Sequence, residues 1–113
     1  MGPGGVMRLS VGQESGIARN LRVVEWLKAD LVASTAAVFR AMAGGSDDKL
    51  VDALAGVVIT CYVLARRLGI GFSVLDLRVE AKLRQNIDDG HEVERWYGDL
   101  SSFLSYFLAD RKR

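Results

Sequence analysis

Apolar residues recur at steps of three and four positions along most of the chain, and this spacing predicts helices. The first helix is predicted from Ile17 or Arg19 to Ala43, directly before the Gly44-Gly45 pair. Glycines placed just after an apolar helical face are typical of a helix C-terminus. The apolar residues of this helix are expected to share one face: Val24, Leu27, Leu31, Thr35, Val38 and Met42.

The second predicted helix runs from Asp47 to Leu68, with Ser46 as its N-cap. From Leu50 onward it is apolar on nearly every side, which is typical of a central helix that contacts several neighbours. Cys61 lies inside this apolar run. We therefore expect a buried, inert thiol there rather than a nucleophile.

The remaining chain predicts two further helices. The third is expected from Val74 to Asp88, where Ser73 and Asp76 resemble a capping box. The fourth begins either at Glu92 or at Asp99. No alternating apolar pattern bounded by turn residues predicts a strand.

The sequence therefore predicts an all-α protein of one domain. The glycine-rich residues 1–16 are expected to form a flexible lead-in, and residues 17–113 the helical domain.

Composition narrows the classes of function. The chain has 15 basic and 14 acidic residues and a net charge of +1, which argues against a nucleic-acid polymer as partner. The longest apolar run is too short to cross a membrane, and no secretory signal is recognisable, so a cytoplasmic location is expected. Half of the residues are hydrophobic, which is high for 113 residues and predicts an oligomer with shared apolar faces.

Three stretches of the sequence resemble the MazG-like family of all-α nucleotide pyrophosphohydrolases. They are residues 19–31, residues 65–70 together with 82–86, and the most distinctive stretch, Gly-His-Glu-Val-Glu-Arg-Trp-Tyr-Gly-Asp-Leu-Ser at 90–101. The resemblance implies a four-helix bundle completed by oligomerisation, as a homodimer or homotetramer. It also implies hydrolysis of a nucleoside triphosphate to the monophosphate and pyrophosphate with Mg²⁺.

In that superfamily, carboxylates in an E-E-x-x-E pattern and an E-x-x-D pattern hold the metal. Spacings of three and four place such groups on one helix face, and Mg²⁺ prefers oxygen ligands. Here the first pattern falls on Ala29, Asp30 and Ala33, and the second falls on Ala53 and Gly56. Most of the expected metal ligands are therefore absent.

Four other acidic residues are the remaining metal candidates. Asp30 keeps its position in the pattern, Glu25 lies about one turn earlier, and Asp52 is one position before the E-x-x-D pair. Asp99 is the fourth candidate, although its position after Gly98 favours a helix N-cap over a metal ligand.

Candidate substrate and catalytic residues lie later in the chain. The resemblance implies that Lys82 and Asn86 contact the nucleotide, although a solvated lysine and a helix-end asparagine explain the same pair. His91 and Glu94 are candidates for acid–base catalysis within an acidic cluster; alternatively, His91 caps a helix or pairs with an acid. Nearby aromatic residues suit either base stacking or core packing: Trp96 and Tyr97.

Two functions follow from these patterns. The first is a divergent, Mg²⁺-dependent nucleotide pyrophosphohydrolase whose activity is reduced or lost. The second is a non-catalytic nucleotide-binding or oligomeric interaction protein on the same scaffold. Loss of the metal carboxylates favours the second function, and the resemblance favours the first.

Overall fold

The computed structural model describes residues 15–111 and is helical throughout that part of the chain, without a strand. Among these residues, no helix combines the length and the apolar character that crossing a membrane requires. The chain divides into two compact units, the first ending at Ile70 and the second beginning at Gly71. The five helices are α1 (Gly16–Gly44), α2 (Asp47–Arg67), α3 (Phe72–Asp88), α4 (Glu92–Tyr97) and α5 (Asp99–Arg111).

The first unit is an antiparallel hairpin of α1 and α2. The side-chain amide of Asn20 donates to the carbonyl oxygen of Arg67 at 2.8 Å, so the start of α1 lies beside the end of α2. Along each helix, buried and half-buried residues alternate at steps of four and three, the spacing of a coiled-coil seam. The seam comprises Asn20, Val24, Leu27, Leu31, Ser34, Val38 and Ala41 on α1 and Ser46, Leu50, Ala53, Val57, Thr60 and Leu64 on α2.

This seam differs from the predicted apolar face in its second half. Thr35 and Met42 were predicted to belong to that face but are exposed, and Ser34 and Ala41 occupy the seam instead. The Thr35 hydroxyl donates to the carbonyl oxygen of Leu31 at 2.8 Å, within its own helix. Small residues in the seam allow the two helix backbones to approach closely. A prediction based on hydrophobicity alone does not identify such residues.

The ends of α1 and α2 follow local capping rules. The Ser46 hydroxyl accepts from the backbone N–H of Lys49 and caps α2, as predicted. Gly45 adopts a left-handed conformation with φ of 73°, and its N–H donates to the Ala41 carbonyl, which ends α1. The start of α1 is earlier than expected, because the hydroxyl of Ser15 accepts from Ala18.

The second unit contains α3, α4 and α5, with α5 in contact with both other helices. Leu83 of α3 is the buried apolar residue of this unit. The predicted cap at Ser73 is wrong, because α3 begins at Phe72 and Gly71 occupies the N-cap position. Both predicted starts of the fourth helix are real, since Gly98 ends α4 in a left-handed conformation before α5 begins.

The apolar core of the described chain is small. Its buried hydrophobic residues are Ala41, Ala53, Ala65 and Leu83. The expectation that Cys61 is buried is wrong for the single chain, where this thiol is exposed. The reason is that α2 contacts α1 through one face only, while its other apolar faces remain uncovered. An α2 helix that is apolar nearly all round thus has fewer neighbours here than its sequence predicts.

Candidate functional site

A groove runs along one side of the α1–α2 hairpin, at the end closed by the Gly44-Gly45 turn. Its volume is about 570 Å³, within the range of small-molecule pockets. Both helices contribute small residues to its walls, and charged side chains from both helices flank them. The lining residues are Ser34, Ala37, Arg40, Ala41, Gly44, Ser46, Asp48, Lys49, Asp52, Ala53 and Gly56.

Two of the predicted metal-ligand positions line this groove. Ala53 is buried at the helix seam and Gly56 is half-buried one turn later. A Cβ atom added to Gly56 would lie 3.3 Å from the Ser34 hydroxyl oxygen, so α1 and α2 approach closely there. The groove therefore occupies the place where the E-x-x-D pair would project its carboxylates.

The charges of the groove are balanced. Arg40 of α1 and Lys49 of α2 supply two cations, and Asp48 and Asp52 supply two carboxylates. All four side chains belong to exposed residues, which leaves their charged groups accessible to a ligand. Such a lining offers donors for phosphate oxygens and acceptors for hydroxyl groups.

The other acidic metal candidates are placed differently. Asp30 is exposed on α1 and is not part of the groove lining. The Glu25 carboxylate accepts from Lys28 at 2.8 Å in an exposed ion pair. Asp99 is the first residue of α5, where a carboxylate stabilises the helix dipole.

These positions do not fit a Mg²⁺ centre of the superfamily's kind. Within residues 15–111, no three His, Cys, Asp or Glu side chains converge closely enough to hold a metal ion. Alanine and glycine at positions 29, 33, 53 and 56 cannot supply the oxygen ligands that Mg²⁺ requires. The groove therefore includes two positions at which the resemblance implies carboxylates, and Ala53 and Gly56 supply none there.

The Glu94 carboxylate caps α5. One of its oxygens accepts from the Ser101 backbone N–H at 3.0 Å, and the other accepts from the Ser101 hydroxyl. The hydrogen bond from the Ser101 hydroxyl, followed by that from its N–H, holds the pKa of Glu94 below the ordinary value despite partial burial. Since a lower pKa makes a weaker base, this arrangement supports a structural role for Glu94, and its catalytic role remains a prediction.

His91 has a capping role of its own. Its Nδ1 accepts from the Val93 backbone N–H at 3.1 Å at the start of α4. The His91 imidazole therefore serves as the side-chain cap of α4. The backbone N–H of His91 also donates to the Asn86 carbonyl, and that of Gly90 to Ile87, which closes α3 in a Schellman arrangement.

The two predicted substrate residues lie on α3. Lys82 is exposed and Asn86 is half-buried, and their spacing of four places them on one side of the helix. The aromatic rings of Trp96 and Tyr97 meet edge to face in α4, with centroids 6.4 Å apart, and both residues are exposed. Core packing within the single chain therefore does not account for these two aromatic residues.

Comparison with models of known protein families identifies the family of this chain. Residues 17–100 match the MazG-like family, which covers most of the chain. The chain belongs to the MazG-like family. This membership suggests the nucleotide pyrophosphohydrolase-like superfamily. Comparisons with curated proteins and with solved structures found no match.

Sequence reasoning missed several residues that the structure brings together. Ser34, Arg40 and Lys49 in the groove carried no motif of their own, although the E-x-x-D positions pointed to this side of α2. Ser101 is the last residue of the 90–101 stretch, but no role was predicted for it. The sequence feature that could have indicated the contact between Ser101 and Glu94 is Gly98. Its left-handed conformation turns the chain so that the start of α5 lies near Glu94.

Proposed function

We propose that this MazG-like protein is a homo-oligomeric nucleotide-binding protein that lacks the family's Mg²⁺-dependent hydrolysis. The observation that carries the proposal is the groove at the metal-ligand positions. Ala53 and Gly56 replace carboxylates there, while Arg40 and Lys49 line the same groove. Without a metal ion, cationic side chains are the groups that can neutralise phosphate oxygens.

A nucleotide suits this lining better than a simple anion does. Arg40 and Lys49 can donate to phosphate oxygens from opposite walls, whereas Asp52 can accept from sugar hydroxyl groups. The volume of about 570 Å³ is sufficient for part or all of a nucleotide. Separately from the groove, the family resemblance supports Lys82 and Asn86 of α3 as candidate nucleotide contacts.

Assembly into a homodimer or homotetramer is part of the same proposal. The buried apolar set is small, and many large apolar residues are exposed in the single chain, among them Val32, Phe39 and Val51. Soluble monomers rarely expose apolar patches of such extent, whereas protein interfaces do. Copies of this hairpin packed together would complete a bundle of four helices.

Equilibrium binding of nucleotides tests the proposal directly. Calorimetric titration with a panel of nucleoside triphosphates, each with and without Mg²⁺, should show binding that does not depend on the metal ion. Arg40→Ala should weaken binding about tenfold, equivalent to about 1.4 kcal/mol. Arg84→Ala removes an exposed arginine of α3 that is outside the groove and about 200° around the helix from Lys82, and it should leave the affinity unchanged. Equal effects of both substitutions would contradict the groove as the site.

A second candidate function is slow pyrophosphohydrolysis. Asp52 lines the groove, and a nucleotide that arrives with Mg²⁺ could use this carboxylate as one ligand. The other predicted residues for this function lie outside the groove lining and remain predictions: Asp30, Glu25, Asp99, His91 and Glu94. Pyrophosphate release above a blank in the same nucleotide panel, abolished by Asp52→Asn, would favour this function over simple binding.

Restoring the metal ligands provides a gain-of-function test. The variant Ala29→Glu, Ala33→Glu, Ala53→Glu and Gly56→Asp rebuilds the family's acidic pattern on α1 and α2. Because Ser34 crowds position 56, Ser34→Ala accompanies these changes. The restored protein should bind Mg²⁺ or Mn²⁺ in a calorimetric titration in which the unmodified protein shows no heat of binding.

A further inference from the structure

A second apolar stripe on α2 faces away from its seam with α1. Val51, Leu54, Val58 and Cys61 follow one another at steps of three, four and three. The first three are 66%, 47% and 55% exposed, and Cys61 is exposed as well. The spacing matches the core of a coiled coil, so this stripe is suited to packing against another helix.

The first helix adds to the same side of the hairpin. Val32 and Phe39 are seven residues apart and therefore share a face of α1, and both are largely exposed. At about 100° per residue, this face lies on the side of the seam opposite the groove residues Ala37 and Arg40. The second stripe of α2 lies on the corresponding side of its own helix. The hairpin thus has a polar groove on one side and an apolar face on the other.

Charge indicates what covers the apolar face. The first turn of α2 carries Asp47 and Asp48, and its last turn carries Arg66 and Arg67. Two α2 helices that pack antiparallel place the acidic end of each beside the basic end of the other. A parallel pair would instead bring like charges together at both ends, which is unfavourable. The helix dipoles favour the same antiparallel arrangement.

We infer that the second apolar stripe of α2 packs antiparallel against the same stripe of a second copy of this chain. This inference rests on the proposed homo-oligomer and specifies its interface. The stripe is symmetric about the level of Gly56, so Val51 faces Cys61 of the other copy. Leu54 then faces Val58, and the acidic first turn of each α2 lies beside the basic last turn of the other.

Disulfide cross-linking tests this register in the full-length protein. In the Val51→Cys variant, the new thiol should face the native Cys61 of the second copy. Oxidation by dissolved oxygen with a copper–phenanthroline catalyst removes one hydrogen atom from each thiol and joins the two sulfur atoms. Because a disulfide requires Cα atoms about 4.4–6.8 Å apart, only residues that face each other form it efficiently. Non-reducing electrophoresis should show a covalent dimer, and mass spectrometry should identify the 51–61 peptide pair.

Two controls fix the face and the direction of packing. Asp52→Cys is one position further along α2 and about 100° around the helix, so it should not cross-link. The unmodified protein should remain uncross-linked as well. In the antiparallel register its two Cys61 residues are separated by ten positions, about 15 Å along the helix. Efficient Cys61–Cys61 cross-linking in the unmodified protein would indicate parallel packing and overturn the inference.

Sedimentation separates this inference from the wider proposal. If the unmodified protein sediments as a dimer or tetramer but Val51→Cys does not cross-link, this interface is wrong while the oligomer stands. If it sediments as a monomer at micromolar concentration, both the interface and the proposed oligomer are wrong. Leu54→Glu, which places a charge in the stripe, should shift the protein from oligomer to monomer. An unchanged oligomer in that variant would also contradict the inference.

Discussion

Gly56 and Ser34 lie close together where α1 and α2 meet in the groove, and this close approach can be measured. An alanine Cβ at position 56 would lie 3.3 Å from the Ser34 hydroxyl oxygen, which is closer than ordinary packing. Alanine in place of glycine inside a helix stabilises a protein by about 1 kcal/mol. Crowding one atom by a few tenths of an ångström costs a similar amount, about 1 kcal/mol at the lower end of overpacking penalties. We therefore expect Gly56→Ala to leave the free energy of unfolding nearly unchanged.

Removing the hydroxyl group should separate these two effects. In the Ser34→Ala background the crowding oxygen is absent, and the nearest remaining atom, the Cβ of residue 34, is 3.8 Å away, an ordinary contact. Gly56→Ala should then stabilise the protein by about 1 kcal/mol, which gives a coupling energy of about 1 kcal/mol in the double-mutant cycle.

Urea unfolding followed by circular dichroism provides the assay. All four proteins must be compared at one protein concentration, because oligomers unfold in a concentration-dependent way. A matched cycle of Ser34→Ala with Gly44→Ala should be additive, since an added Cβ at Gly44 meets no atom within 4 Å. A Gly56–Ser34 coupling below about 0.3 kcal/mol, the usual error of additivity, would refute the close approach of the two helices.

Three further predictions concern the ends of the helices. Ser46→Ala removes the α2 cap and should lower the free energy of unfolding by about 1 kcal/mol in urea titrations, whereas Ser46→Gly should cost only a few tenths. Gly90→Ala places a side chain at φ of 71° and should destabilise by about 1 kcal/mol, with Gly90→Asn less affected by the same measurement. Glu94 has a lowered pKa in the folded state, so its stabilisation is present above the unfolded-state pKa and is lost as pH falls through the folded value. The difference in urea midpoint between the unmodified protein and Glu94→Gln should therefore shrink from pH 7 to pH 3; a constant difference would contradict the Glu94–Ser101 contact.

The fold was predictable where short-range chemistry decides it. Ser46 and the Gly44-Gly45 pair define the turn between α1 and α2 through capping alone, and the structure confirms both. The start of α3 was not predictable in this way. Ser73 is a residue type that often caps a helix. However, the turn at Gly69 places Gly71 at the N-cap position, so the helix begins at Phe72. The position of that turn depends on how α2 ends, which no local pattern around Ser73 encodes.

Burial was predictable only in part, because it depends on which elements pack against each apolar face. The apolar run around Cys61 correctly indicated a helix that is apolar on several faces. Its exposure follows because α1 covers one face of α2, and residues such as Val51 and Val58 remain open. Sequence patterns report that a face is apolar, but they do not report which chain covers it.

The groove was only partly predictable, because Asp52 is the one predicted site residue in its lining. The E-x-x-D positions, carried over from the family, identified the side of α2 that lines the groove. The groove itself results from the absence of side chains at Ala53 and Gly56 and from the seam that holds Ser34 opposite them. Arg40 and Lys49 had no motif, because single cationic side chains on a helix surface have no fixed spacing to recognise. Geometry was therefore needed to find them.

Losing the metal carboxylates also changes what holds the hairpin together. Carboxylates clustered at one site repel each other until a divalent cation neutralises them, so a metal site of the family's kind destabilises its own fold in the absence of metal. Ala29, Ala33, Ala53 and Gly56 remove that repulsion and leave a groove whose two cations and two acids balance. The hairpin should then be equally stable in EDTA and in about 10 mM Mg²⁺, with a difference in unfolding free energy below about 0.4 kcal/mol, the value expected when ligand concentration equals Kd. A larger stabilisation by Mg²⁺ would show that the remaining acids still form a metal site and would contradict the proposal that nucleotide binding is independent of metal.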